Sequence, residues 1–309
     1  MSRIVVGGAS GALGSLIVDR LLDKVDPSSL VLLSRTPEKL ARHAEFGATV
    51  LFADHDDRSS LEKAYDGADA AMVISGLDIG RRMDQHRNVV EAANAAKVPH
   101  VVYTSVSGIH PKNDTPSSIE HRQTEALFRD GGIGYTFLRS ACYAEIFLIN
   151  AAMAYEYGAW LHARAPGPNR LAPISRDDLA ASAAACLLGG ETHVGATYEI
   201  TGPELISMQQ LAQTIGEEFG RPMPYHEVAR DERYRQFDDA GVPRNFGPTD
   251  PPHPHTHYYS SDEIVIFELA VSAGLHGVLT DHVEYLTGRA PKDFRSVMRQ
   301  HAAAHPLSA

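Results

Sequence analysis

The segment Gly8-Ala9-Ser10-Gly11-Ala12-Leu13-Gly14 follows directly on the apolar run Ile4-Val5-Val6 and opens an apolar helical stretch from Leu13 to Leu22. A glycine triplet alone is weak evidence, and a merely tight βα turn is the bland alternative. Set between a strand and a helix, this spacing makes a turn whose backbone N–H groups approach a pyrophosphate. The helix N-terminus adds a partial positive charge. The expected fold class is therefore α/β, a Rossmann-type doubly wound parallel sheet, with a smaller C-terminal substrate lobe.

The chain beyond the loop supports that expectation. Short apolar runs at 3–7, 30–34, 49–53, 69–74, 100–105 and 134–138 alternate with longer amphipathic stretches, the signature of βαβ units. In 81–97, Val89, Val90, Ala93 and Ala96 recur at helical spacing while Arg87, Glu91 and Asn94 face elsewhere. Right-handed crossovers then place helices on both sheet faces. After residue 140 the alternation gives way to a helical stretch at 143–156, a Gly/Pro-rich segment at 158–173 and a helix at 177–188. The expected division is a dinucleotide-binding domain over 1–140 and a mostly substrate-binding lobe over 141–309. The two interleave, because 195–202 reads as a strand that returns to the first sheet. Ser207 caps a helix over 207–219, and the Pro-, His- and Gly-rich stretch 241–257 reads as a long loop, a lid or substrate wall.

Composition narrows the function. Of 309 residues, 39 are acidic and 28 basic, giving a net charge of −11 with no basic run to neutralise a phosphate backbone, which argues against nucleic acid. No apolar run approaches a membrane span. Met1 leads through one arginine into the first strand, leaving no room for a signal peptide. Only Cys142 and Cys186 occur, too few for a disulfide framework or a thiolate zinc site. A cytoplasmic protein acting on a small molecule is expected, and the reading admits a homodimer.

The end of the second strand selects the cofactor. An acid there would accept from a ribose 2′-hydroxyl, but this chain has Ser34-Arg35-Thr36, a guanidinium and hydroxyls suited to a 2′-phosphate. NADP(H) is favoured, with NAD(H) as the alternative and a solvated arginine as the bland one. Asp54, beyond the third strand, suits either an adenine amino group or a loop cap. Ser75-Gly76 ends the fourth strand with small residues that let a cofactor pass close to the backbone, as a simple turn also would.

These residues carry a resemblance. The glycine loop, Ser34-Arg35-Thr36-Pro37-Glu38-Lys39, Gln85-His86-Arg87-Asn88-Val89-Val90, Tyr103-Thr104-Ser105, His121-x-x-x-Glu125, Tyr135-Thr136-Phe137-Leu138-Arg139 and Ser175-Arg176-Asp177-Asp178 resemble the NmrA-like atypical short-chain dehydrogenase/reductases. Within these they resemble the type 2 NADPH:quinone oxidoreductases and triphenylmethane reductases. The resemblance runs from residue 3 to about residue 220 and weakens across 241–257. It implies an NADPH-binding lobe, a small C-terminal lobe, and a substrate held over the nicotinamide between them. By position it implies phosphate contacts from Gly8, Ala9, Ser10, Gly11, Ala12, Leu13 and Arg35, with Ser75 and Gly76 near the cofactor's middle. The nicotinamide end falls to Leu138, Arg139, Ser140, Ala141, Cys142 and Tyr143, and Arg176 reaches in from the second lobe. Where those quinone reductases have Asn after the arginine, this chain has Ser140.

Many short-chain dehydrogenases place Tyr-x-x-x-Lys on the helix after the fifth strand; here that helix offers His121 and Glu125, sixteen residues after Ser105 in the case of the histidine. The i,i+4 spacing puts both on one face, where Glu125 would orient and charge His121 as a proton donor, or the two would form a surface ion pair. Tyr143 is the second candidate donor or substrate wall, and otherwise a core aromatic. Cys142 reads as a small buried residue. His253, His255 and His257 would point one way in an extended segment, a metal-like strip, yet no carboxylates complete a site, and a substrate-lining loop is preferred with no metal. The leading function is hydride transfer from NADPH to a quinone, enone or related conjugated aromatic substrate. A carbonyl reductase or alcohol dehydrogenase using His121 as acid and base is the alternative, and a non-catalytic NADP-sensing regulator is a third reading.

Overall fold

The computed structural model describes residues 2–76, 78–247, 250–254, 256–257 and 259–304. Seven strands form its main sheet: β1 (Ile4–Val6), β2 (Leu30–Ser34), β3 (Thr49–Phe52), β4 (Ala70–Val73), β5 (His100–Val106), β6 (Gly134–Ser140) and, from the segment 195–202, a last strand Thr197–Ile200 that is β9 in chain order. All pair in parallel in the order β3-β2-β1-β4-β5-β6-β9. Every residue of β1, β2 and β4 is buried, because helices cover both faces, and this is why these strands read as continuous apolar runs. On one face α1 (Ala12–Leu22) packs Ile17, Val18 and Leu21 with Leu179 and Ala183 of α7 (Arg176–Gly189). On the other, α3 (Arg58–Tyr65), α4 (Arg82–Ala95) and α5 (Pro116–Asp130) contribute Leu61, Tyr65, Val89, Ala93 and Phe128. A short helix α2 (Ala41–Glu45) precedes β3.

The chain leaves β1 toward β2 and β3, then resumes on the opposite side at β4. A crevice opens at the carboxyl ends of β1 and β4, where such a reversal leaves room for a ligand.

The remaining elements build a second cluster. The stretch expected as one helix over 143–156 is a 3₁₀ turn at Ala144–Ile146 running into α6 (Phe147–Tyr157), and the Gly/Pro-rich segment contains two short strands, β7 (Trp160–Ala163) and β8 (Arg170–Leu171). Strand β8 pairs with β10 (Ile206–Ser207), and β7 with β11 (Tyr225–Val228). Helix α8 (Met208–Glu218) starts at a reciprocal cap between Ser207 and Gln210. Phe147, Trp160, Phe294 and Met298 form the core between α6, α8 and α12 (Phe294–Ala304). Helices α9 (Arg230–Asp239) and α10 (Ser261–Ser272) share Tyr234, Phe237 and Val265, and α11 (His282–Thr287) follows. A buried fork from Arg233 to Glu268, 2.7 Å at its shortest, joins α9 to α10, and Glu268 also accepts from the Ala163 N–H at 2.8 Å. No helix among the described residues is long and apolar enough to cross a membrane.

The loop 241–257 differs from its sequence reading. His253 and His257 exchange backbone hydrogen bonds of 2.8 Å each, with φ +53° at His257, so the chain closes on itself rather than extending. His253 and His257 therefore do not alternate along a strand, and His255 lies outside the described residues. No group of three or more His, Cys, Asp or Glu able to hold a metal occurs among the described residues.

Candidate functional site

A cavity of about 840 Å³ runs from the glycine loop, past the ends of β4, β5 and β6, to a wall made by α6 and α10. The glycine loop forms one end. Gly8 adopts φ +65°, which favours glycine, and a Cβ on Gly14 would overlap the Gly8 carbonyl oxygen outright, so the loop closes against the start of α1 only with glycine at position 14. Gly11 occupies the N-cap without a side-chain cap, and no acid stands in the first turn, so the N–H groups opening α1 face the cavity uncompensated. Ser10, Gly11, Ala12 and Leu13 line it. Ala9 does not: its side chain is fully buried and its N–H bonds the Leu33 carbonyl at 3.0 Å, anchoring the loop to β2.

Ser34 ends β2 with its hydroxyl 2.7 Å from that of Ser10 and accepting from the Thr36 N–H at 2.9 Å. Next to this half-buried pair, Arg35 and Lys39 are exposed, line the cavity, and form no ion pair among the described residues. Lys39 was missed as a site residue because a lysine on a polar turn carries no signal of its own. Asp54 lines the cavity and also caps its own turn, accepting from the Asp56 N–H at 3.1 Å. A helix N-terminus, two free cations and a glycine cradle fit a dinucleotide with an additional phosphate.

In the middle, Ser75 donates its N–H to Thr104 Oγ1 at 2.9 Å, and the Gly76 carbonyl accepts from Arg82 Nε at 2.7 Å. Arg82 is buried and faces Glu120 at 3.5 Å, whose other oxygen takes the Gly80 N–H at 2.7 Å. Burial raises the Glu120 carboxyl, with Arg82 opposing. Arg82 carries no signal in the sequence, since an arginine opening an amphipathic helix reads as solvated.

His121 of α5 lines the cavity, with its Nδ1 2.6 Å from the hydroxyl of the fully buried Tyr103. Burial holds its imidazole well below the ordinary histidine range, and Arg82 and His86 push the same way, so the ring is neutral. The expected partnership with Glu125 does not form. Glu125 accepts from Arg139 at 2.8 and 2.7 Å, from Arg129 at 2.9 Å and from Ser105 Oγ at 2.8 Å. Burial would raise its carboxyl, but the bonds from Arg139 and Ser105 outweigh it and the net shift is down. Arg139 also meets Glu199 at 3.3 Å. Glu125 and Arg139 thus tie α5 to β6 and β9, and neither lines the cavity. Leu138 belongs to the core beneath the sheet.

Ser105, Ser140, Ala141, Cys142 and Tyr143 do line the cavity. Burial pushes the Cys142 thiol up to about 12, which keeps it protonated. The Tyr143 ring carries the Arg176 guanidinium 5.2 Å from its centroid, and its hydroxyl is likewise raised by burial. The far wall is aromatic and apolar, with Phe147, Met208, Tyr259 and Phe267, and it includes the buried Glu263. Glu263 accepts the Ser117 N–H at 3.0 Å and the Ser117 hydroxyl, so a residue of α10 caps the start of α5, which has no cap of its own. Burial raises its carboxyl, with the Ser117 bonds opposing. Helix α10 was not singled out in the sequence, because a capped apolar helix is indistinguishable from core.

The NmrA-like family model matches residues 1–247. Quinone oxidoreductase 2 of Escherichia coli is 34% identical over 242 residues, 78% of this chain and 82% of that protein. The structure of an E. coli NADPH-dependent quinone oxidoreductase complexed with NADPH superposes with TM-score 0.83 at 28% identity, covering 96% of this chain and 99% of that one. Triphenylmethane reductase from Citrobacter sp., complexed with NADP(H), gives TM-score 0.79 at 29% identity over 96% and 99%. The chain belongs to the NmrA-like family.

Proposed function

We propose that this NmrA-like family member is an NADPH-dependent oxidoreductase that reduces a quinone, an enone or a related conjugated aromatic compound. One observation carries the reading: a single cavity joins an uncapped helix N-terminus flanked by Arg35 and Lys39 to an aromatic wall, with the neutral His121 between them. The relatives named for quinone reduction and bound to NADPH support it. Bound NADPH supplies a hydride, which with one proton converts a quinone to the hydroquinone and leaves NADP⁺. The first-turn N–H groups of α1 and the loop residues Ser10 to Leu13 hold the pyrophosphate, and Arg35 with Lys39 holds the 2′-phosphate. Ser75, Gly76, Ser105 and the run Ser140 to Tyr143 border the nicotinamide half, and Tyr143, backed by Arg176, closes it from the second lobe. His121 offers a hydrogen bond to the acceptor's oxygen as charge develops there.

A carbonyl reductase with His121 as a charged acid is less well supported. The carboxylate that would have charged the imidazole is engaged elsewhere, and Arg82 and His86 oppose an imidazolium. The test is an oxidation assay with NADPH and NADH against quinones, enones, aldehydes and ketones. Turnover with quinones or enones and a preference for NADPH is expected. Turnover confined to aldehydes and ketones would establish the carbonyl reductase instead, and tight NADPH binding with no acceptor reduced would make the protein a sensor.

A further inference from the structure

Tyr103 lies on β5 beneath the cavity floor, fully buried among Phe128, Phe137 and the ring of His86. A tyrosine in that company needs one partner for its hydroxyl, and it has one, Nδ1 of His121 at 2.6 Å. The hydroxyls of Ser75 and Thr124 flank it, but each bonds elsewhere: Ser75 to the Gly76 carbonyl at 3.3 Å, Thr124 to the Glu120 carbonyl at 2.9 Å and to His86 Nδ1 at 2.8 Å. Among the described residues, the His121 contact is the one with hydrogen-bond distance and angle.

That contact decides where the imidazole proton sits. A neutral imidazole has one N–H and one bare nitrogen. Were the proton on Nδ1, the phenol would accept it, and the phenol's own hydrogen would have to turn to the Ser75 or Thr124 hydroxyl, neither of which meets it with the distance and angle of the His121 contact. With the phenol donating, Nδ1 is the bare nitrogen and both groups are satisfied. Burial raises the phenol above its ordinary range, so it keeps the hydrogen it donates. Since Nδ1 points down to Tyr103, the opposite ring edge, carrying Nε2, is the part of His121 that borders the cavity.

We propose that Tyr103 is a positioning residue: its O–H, donated to Nδ1, fixes His121 as the tautomer protonated at Nε2 and so aims an N–H donor at the acceptor's oxygen. Fixing the ring plane and the proton together spares the site the reorganisation a free imidazole would undergo when the oxygen gains charge. The catalytic half of this statement rests on the function proposed above, whereas the tautomer does not.

The test separates the two. In histidine-¹⁵N-labelled protein with NADP⁺ bound, the two-bond ¹H–¹⁵N spectrum is expected to show His121 with a bare Nδ1 and a protonated Nε2. Tyr103→Phe, which keeps the ring and removes only the hydroxyl, is expected to move the Nδ1 resonance. It should also lower kcat about tenfold with KM for NADPH unchanged, the loss expected for one orienting hydrogen bond. In a His121→Gln background the same substitution should change kcat less than about twofold, because the two effects run through one group. A protonated Nδ1 in the wild-type protein would overturn the proposal, and so would an equal loss from Tyr103→Phe in both backgrounds. Should Tyr103→Phe not fold, the wild-type spectrum decides alone. A wild-type protein that reduces no acceptor while showing the bare Nδ1 would remove the proposed function and leave the tautomer standing.

Discussion

Replacing Gly14 by alanine tests the central geometric claim about the glycine loop, and its effect can be worked from the structure. The added methyl would overlap the Gly8 carbonyl oxygen and stand 2.8 Å from Gly8 C and 2.9 Å from Ala9 Cα. These are backbone atoms, so no side-chain rotation relieves the clash. Restoring ordinary contact separates the start of α1 from the loop by somewhat over about 1 Å. The loop resists, because Ala9 is tied to β2 by the bond to Leu33 and Gly11 is tied to Gly8 at 2.9 Å. Overpacking of this kind costs about 1–3 kcal/mol. At roughly 2 °C per kcal/mol for a chain of this size, the cofactor-free protein should melt about 2–6 °C lower, and NADPH affinity should fall at least about tenfold as the first-turn N–H groups tilt away from the phosphates. Gly11→Ala is the contrast. Its Cβ would lie 3.2 Å from the Gly8 carbonyl oxygen, and Gly11 has an extended backbone that any residue adopts. Stability without cofactor should therefore stay within about 0.5 kcal/mol of wild type, while the methyl, standing where the pyrophosphate approaches, weakens NADPH binding. Thermal melts of the free proteins and fluorescence titrations with NADPH read both quantities. Equal losses of stability in the two variants, or wild-type NADPH affinity in Gly14→Ala, would refute the reasoning.

Three further expectations follow from the same geometry. Arg35→Ser removes an exposed cation worth about 1–2 kcal/mol to a bound 2′-phosphate, so KM for NADPH should rise roughly 5–30-fold with KM for NADH unchanged; equal weakening of both cofactors would place Arg35 elsewhere. Glu125→Ala leaves Arg139 without its main carboxylate partner and should lower stability by about 2–4 kcal/mol, with kcat at a permissive temperature within about twofold of wild type, and lost turnover at unchanged stability would return Glu125 to the chemistry. Burial holds His86 at about 3 and His276 at about 4. The unfolded chain therefore binds protons near pH 6.5 that the folded protein refuses. Their contribution is complete above pH 6.5 and is lost as pH falls from there toward 4, at about 1.4 kcal/mol per pH unit for each histidine. Urea midpoints that stay level between pH 7 and pH 5 would contradict this.

The parallel sheet was legible in the sequence because strands buried on both faces must be apolar throughout, and β1, β2 and β4 are. Cavity-lining positions that act through backbone or short side chains, such as Gly11, Ser75 and Ala141, were legible through motif and register. Side chains whose partners come from distant segments were not. Helical spacing does set His121 and Glu125 on one face, but it says nothing about Arg139, which β6 carries to Glu125, or about Tyr103, which β5 carries to His121. The histidine loop failed for a local reason: alternate spacing implies a strip only if the backbone is extended, and His257 is left-handed. The wall from α10 escaped notice because the functional and packing roles of Phe267 and Ile264 call for the same residue types.

The cap that Glu263 places on α5 joins residues 146 positions apart in the chain. On the ribosome, the sheet through β6 can be complete while the segment bearing Glu263 is still unmade, so the Ser117 N–H at the start of α5 is at first left to water. The helix that carries His121 is thus finished by the arrival of the last helices, and a chain interrupted before residue 261 would hold every strand of the main sheet and still present its cavity with a frayed edge.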